Sequence, residues 1–109
     1  MSEETLRRLA ATIRARRDAP ADQSYTRKLL DAGPARCARK FGEEAVEAVI
    51  AAMEDDPAAL TAEAADVLYH LLVLLESRGV TLADVTAVLE ERMGQSGLAE
   101  KASRTNQAP

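Results

Sequence analysis

Residues 40–70 read KFGEEAVEAVIAAMEDDPAALTAEAADVLYH, and the fold depends on how this stretch doubles back. Its centre, Glu54-Asp55-Asp56-Pro57, is a turn signal. Asp56 suits an N-cap, and Pro57 suits the first position of a new helix. On either side the alphabet is Ala, Val, Leu and Glu, with too few aromatic and β-branched positions for a strand. The stretch therefore reads as two helices joined by a short connection, an antiparallel hairpin. Both helices rise equally per residue, so positions whose numbers add to about 110 stand at the same height. Glu47 is then level with Glu63, Glu44 with Asp66, and Lys40 with His70. Residues 40, 44 and 47 lie within about 80° of arc, as do 63, 66 and 70, so each polar trio shares one helix face.

Working outward, the first hairpin helix is expected from about Ala35 to Met53. Before it, Ser24 can cap a short helix running through Leu30, which Gly33-Pro34 stops. A helix beginning after Ser2 carries Leu6, Leu9, Ala10 and Ile13 at helical spacing and ends at Ala19-Pro20-Ala21-Asp22. The second hairpin helix is apolar on nearly every face over Val67–Leu75, which suits the middle of a bundle or a subunit interface. Arg78-Gly79 closes it. Thr81-x-x-Asp84 resembles a capping box and opens a fifth helix to about Met93. Beyond Gly94 the chain turns polar, and residues 105–109 are expected to be a frayed tail. The expectation is one all-α domain over residues 1–104, an antiparallel bundle of about five helices. A chain of this length buries only a small core, so dimerisation is expected to complete it.

Composition narrows the function classes. The aromatic share is only 3% while Ala, Leu and Val carry a hydrophobic share of 47%, a helical balance. A net charge of -4 argues against a nucleic-acid partner, which wants a basic face. Cys37 is the one cysteine and has no internal disulfide partner, so a reducing compartment is the simple reading. The N-terminal MSEETLRRLA has no apolar signal core. Val67–Leu75 is interrupted by His70 and is about half the length needed to span a bilayer. A cytoplasmic protein without a membrane partner is expected.

Four carboxylates at matched heights repel one another, and partial burial makes this worse. A hard divalent cation resolves the conflict. Magnesium takes oxygen ligands, binding through a few carboxylates together with substrate phosphates. The alternative is an outward-pointing solvated face, which is harder to sustain for Glu63 and Asp66 because the following residues leave that helix little solvent face. The few glycines are isolated, so there is no glycine-rich phosphate loop. One His and one Cys do not make a usual zinc site. No nucleophile-elbow sequence accompanies His70.

Glu44-x-x-Glu47, a gap of 15 residues, then Glu63-x-x-Asp66 resembles the metal signature of the all-α nucleotide pyrophosphohydrolases, a superfamily that includes MazG-like enzymes and dimeric dUTPases. The flanks narrow the likeness. Ser24–Leu30, Lys40–Glu47, Glu63–His70 and the late Ser96–Arg104 together resemble phosphoribosyl-ATP pyrophosphohydrolase. That family is often fused to a cyclohydrolase domain, and this short, Cys-poor chain looks like the stand-alone form.

The resemblance implies Mg²⁺-dependent hydrolysis of phosphoribosyl-ATP to phosphoribosyl-AMP and pyrophosphate in histidine biosynthesis, by a homodimer acting on a small molecule. It makes Glu44, Glu47, Glu63 and Asp66 the metal ligands. Glu43, or Glu47 if not fully committed to metal, is the candidate to orient or deprotonate water. Lys40, one turn before Glu44, would meet a phosphate, and His70 would orient a ligand or contact phosphate. Lys101 and Arg104 form a basic tail that could fold over a polyphosphate, with Tyr25 and Lys28 as further substrate contacts. Tyr69 reads as core, and Cys37 as a small buried hydrophobe. Two rivals stand beside this reading. One is a house-cleaning enzyme with the same metal site acting on free or damaged nucleoside triphosphates. The other is a non-catalytic helical adaptor whose apolar fourth helix only dimerises.

Overall fold

The computed structural model describes residues 2–20 and 22–94. Five helices follow in order: α1 (Ser2–Ala15), α2 (Tyr25–Ala32), α3 (Pro34–Met53), α4 (Pro57–Ser77) and α5 (Leu82–Met93). A 3₁₀ turn, Arg16–Asp18, extends α1. No strand occurs among the described residues. The all-α architecture is as expected. The expected domain limit at residue 104 and the tail 105–109 lie outside the described residues.

The starts of α2, α4 and α5 are each fixed by a side chain that accepts an otherwise unpaired backbone N–H. Ser24 Oγ accepts from the Arg27 amide at 3.1 Å. Asp56 Oδ1 accepts from the Ala59 amide at 3.2 Å, with Pro57 at the first helical position. Thr81 and Asp84 complete a reciprocal capping box, each bond 3.0 Å. The backbone hydrogen bond from Thr81 holds the Asp84 carboxyl below its usual range. One boundary differs from expectation. Pro34 begins α3 instead of merely stopping α2, and α2 continues to Ala32. Gly33 makes the tight joint possible, because its φ of 98° turns the chain within one residue.

The core lies where α1, α2 and the start of α3 meet the second half of α4. Ile13, Leu29, Cys37, Leu72 and Val73 are buried together there. Each large aliphatic side chain contributes about 1.5–3 kcal/mol. Leu9 and Ala10 pack onto this cluster from α1, as the spacing anticipated, and Leu82 does so from α5. Arg17 ties the end of α1 to the end of α4 by bonding both the carboxylate and the backbone carbonyl of Glu76. Cys37 is a buried small residue as read, its Sγ donating to the Leu29 carbonyl at 3.2 Å.

Toward the turn, no other described helix forms a layer against the α3–α4 hairpin. Val46, Val49, Ile50 and Met53 of α3 are exposed, as are Leu60 and Leu68 of α4. The radius of gyration is 16.1 Å, against about 13 Å for a compact chain of roughly 100 residues. A single chain thus forms an open bundle with its core at one end. Among the described helices, α4 alone has the length and apolarity to cross a membrane, although that test is also passed by bundle helices. This exceeds the half-span estimated from Val67–Leu75, because Ala-rich residues 57–66 extend the apolar run.

Gly33 gives the first test. No heavy atom would meet an added Cβ there, so Gly33→Ala isolates the backbone cost of its positive φ. The variant should lose about 1–2 kcal/mol in urea unfolding. An unchanged midpoint would show that the joint does not need this conformation.

Candidate functional site

The hairpin brings the acidic residues together because alanines line its inner seam. Ala51 is buried, and Ala45, Ala48 and Ala59 are half-buried. Small side chains let two helices approach toward the close end of the usual 8–10 Å axial spacing. Carboxylates on the flank of that seam then reach across from both helices. Glu44, Glu63 and Asp66 each place an oxygen within 4.8 Å of the other two. Glu63 Oε2 is buried and has no hydrogen-bond partner.

An unpaired buried carboxylate oxygen is costly unless something positive meets it. The three oxygens come from two helices that their own packing holds rigid, which suits a hard cation taking oxygen ligands. Glu47 stands at the edge of this trio. Repulsion from Glu44, then from Glu63, raises its pKa above the usual glutamate value. Three of the four acids expected at matched heights thus lie together, with Glu47 outside the tightest group and exposed.

Lys40 borders the acids on the basic side. Its Nζ lies 3.4 Å from Glu43 Oε1 and 3.8 Å from Glu44 Oε2. The Tyr25 phenol, then Glu43 and Glu44, hold its ammonium above the usual lysine range. Glu43 is exposed and faces Lys40 rather than the trio. An open cavity of about 600 Å³ is lined by Lys40, Gly42, Glu43, Glu44, Val46 and Glu47. A second, about 260 Å³, continues toward the hairpin turn between Glu47, Ile50, Glu54 and Glu63. The cavity of about 250 Å³ enclosed by α1, α4 and α5 contains none of these carboxylates.

His70 is buried at the core edge of the site. Its ring meets Tyr69 edge-on at 4.9 Å and Tyr25 at 6.3 Å, and its Nδ1 has no hydrogen-bond partner. Burial lowers its pKa, partly offset by the Glu44 charge. One ring neighbour of His70, Tyr69, is not among the site residues the sequence suggests. Tyr69, read only as core, bonds through its hydroxyl to Thr26 Oγ1 and so fixes the ring that braces His70. The signal available was Thr26 on the inward face of the α2 segment, but no spacing rule links positions 26 and 69. Tyr25 is brought to the site. Lys28 is exposed one turn farther along α2. Lys101 and Arg104 lie outside the described residues.

Replacing Glu63 by Gln separates a cation site from a solvated acidic face. Without metal, Glu63→Gln should melt no lower than the parent, because one repelling charge is gone. With saturating Mg²⁺ and a non-hydrolysable nucleotide the parent should gain about 2.7 kcal/mol at a hundredfold excess over Kd. The variant should gain much less. Equal gains would mean that these acids do not bind the cation.

Comparison with known proteins gives a consistent picture. The family described as phosphoribosyl-ATP pyrophosphohydrolase matches residues 6–93. The phosphoribosyl-ATP pyrophosphatase of Cereibacter sphaeroides is 65% identical over 99 residues, covering 91% of this chain and 96% of the relative. That of Dinoroseobacter shibae is 64% identical over 99 residues, with 91% and 97% covered. Phosphoribosyl-ATP pyrophosphatase 1 of Rhodopseudomonas palustris is 60% identical over 104 residues, with 95% and 97% covered.

Proposed function

The chain belongs to the phosphoribosyl-ATP pyrophosphohydrolase family, and from that premise we propose that it hydrolyses phosphoribosyl-ATP to phosphoribosyl-AMP and pyrophosphate in L-histidine biosynthesis, with Mg²⁺ as cofactor. The observation that carries this reading is the convergence of Glu44, Glu63 and Asp66 from two helices, with an unpartnered buried oxygen on Glu63. These three residues, with Glu47 beside them, hold the metal. Bound Mg²⁺ would neutralise the polyphosphate oxygens that otherwise repel an attacking water.

Hydrolysis adds one water across the anhydride between the α and β phosphates. The water oxygen bonds to one phosphorus as the bridging oxygen departs on the other, and the water proton needs an acceptor. Glu47 suits that role better than Glu43. It stands exposed at the edge of the trio, where a water can reach it, whereas Glu43 is engaged by Lys40. Lys40 binds a phosphate oxygen, and the adjoining Tyr25 and Lys28 contact substrate at the same end. His70, braced by two tyrosine rings, orients the ligand. Lys101 and Arg104 supply further cations to the anionic substrate.

The protein acts as a homodimer in the cytoplasm, without nucleic-acid or membrane partners. The support is the exposed face formed by Val46, Val49, Ile50 and Met53 with Leu60 and Leu68, far more apolar than a solvated helix pair tolerates. Lipid is a poor covering for α4, since Glu63 and Asp66 stand on it. Sedimentation at micromolar concentration should give twice the chain mass. A fully active monomer would remove the proposed interface.

Turnover tests the reaction itself. Pyrophosphate should be released from phosphoribosyl-ATP far faster than from a panel of free nucleoside triphosphates, and only with a divalent cation. Glu44→Gln and Asp66→Asn should each lower kcat/KM roughly a hundredfold or more. Truncation after Gly97 should cost roughly tenfold for each charge-assisted bond lost. Preference for a free triphosphate would favour the house-cleaning reading, and activity indifferent to metal would refute the site.

A further inference from the structure

The charges of this chain are sorted along its length. Residues 7–40 carry ten Lys and Arg against three Asp and Glu, whereas residues 43–66 carry eight Asp and Glu and no Lys or Arg. The changeover falls at Lys40 and Glu43, in the middle of α3. If the reaction proposed above is correct, the substrate is also two-ended. Its triphosphate is one anionic end, and the 5′-phosphate of the second ribose, joined through the adenine ring, is the other. Only the triphosphate can be carried into the acidic half by metal. A lone phosphate monoester entering that half would meet net repulsion.

We propose that Arg36, with Lys28 beside it, forms a second anion subsite that binds the ribosyl 5′-phosphate and so distinguishes phosphoribosyl-ATP from ATP. This rests on the assigned reaction and adds the residue that sets its specificity. Arg36 precedes Lys40 by one turn and Glu44 by two on the same face of α3, which places it about 12 Å along the axis from Glu44. A purine and two sugars span a distance of the same order between the two phosphate ends.

The neighbouring helix supplies the second cation. The bond from Cys37 Sγ to the Leu29 carbonyl, 3.2 Å, holds α2 alongside α3. Tyr25 acts on Lys40 across the same pair of helices. Lys28 and Arg36 each lie one residue from the Leu29–Cys37 rung, so they stand at nearly the same height. Both are exposed, and neither pairs with a carboxylate among the described residues. Arg27, by contrast, is already committed to Asp31 at 2.9 Å. Arg39 lies about 60° farther round α3, toward exposed Val46 and Ile50. Arg36 is thus, with Lys28, an unpaired described cation on this side of the helix pair, and its planar fork matches a phosphate by two parallel hydrogen bonds.

The test compares pyrophosphate release from phosphoribosyl-ATP and from N1-ribosyl-ATP, the same molecule without the distal phosphate. Wild type should prefer phosphoribosyl-ATP by roughly tenfold or more in kcat/KM. Arg36→Gln should lose about that factor on phosphoribosyl-ATP, mainly through KM, and much less on N1-ribosyl-ATP. Lys28→Gln should show the same pattern more weakly, and Arg36→Lys should retain part of the preference. Equal losses on both substrates, or an unchanged preference in both Gln variants, would overturn the subsite. Failure of wild type to cleave phosphoribosyl-ATP at all would overturn the assigned reaction and the subsite with it.

Discussion

Electrostatic repulsion within the α3–α4 hairpin is the constraint that organises the rest of the molecule. Glu44, Glu63 and Asp66 are held within 4.8 Å of one another by helices whose own packing gives them no means of moving apart. Alanines along the seam bring the helices close, and the capped turn at Asp56-Pro57 fixes their register. The same features that make the hairpin a good helical unit make it a poor place for unpaired negative charge. Folding into this shape is therefore coupled to what the hairpin binds, because a cation would remove a cost that the apo fold must carry.

That constraint explains where the core is and where it is not. The buried cluster of Ile13, Leu29, Cys37, Leu72 and Val73 sits at the far end of α4, away from the acids. Stability is concentrated there, and the acidic half is left open for ligand. Lys40 stands at the boundary between the two halves, within 4 Å of both Glu43 and Glu44. A polyanion approaching from Lys40 would meet a cation first and the acidic cluster next. The exposed apolar face of α3 borders the same surface, since Val46 and Ile50 line the cavities beside Glu44, Glu47 and Glu63.

Much of this was legible in the sequence because it follows from helix periodicity. The turn at residues 54–57 and the caps at Ser24, Asp56 and Thr81 derive from local rules, and the structure contains them. The angular details were not legible. Rise per residue sets which carboxylates are level, but how far each turns toward its neighbour depends on helix packing, and Glu47 consequently falls at the edge of the trio. The setting of His70 was also hidden. Its two ring contacts join residues from α2 and α4, and the Thr26–Tyr69 bond links positions 43 residues apart. Pro34 both bars α2 from continuing and opens α3, one residue before the expected start, and the positive φ of Gly33 lets the two helices join there.

The central claim is that carboxylates from two helices hold a divalent cation that in turn carries the polyphosphate. Titration of Mn²⁺ followed by electron paramagnetic resonance tests it without turnover. The free-ion signal should be quenched by wild-type protein, more strongly when a non-hydrolysable nucleotide is present, and much less by Asp66→Asn under either condition. Equal quenching by wild type and variant, with no effect of nucleotide, would contradict the claim.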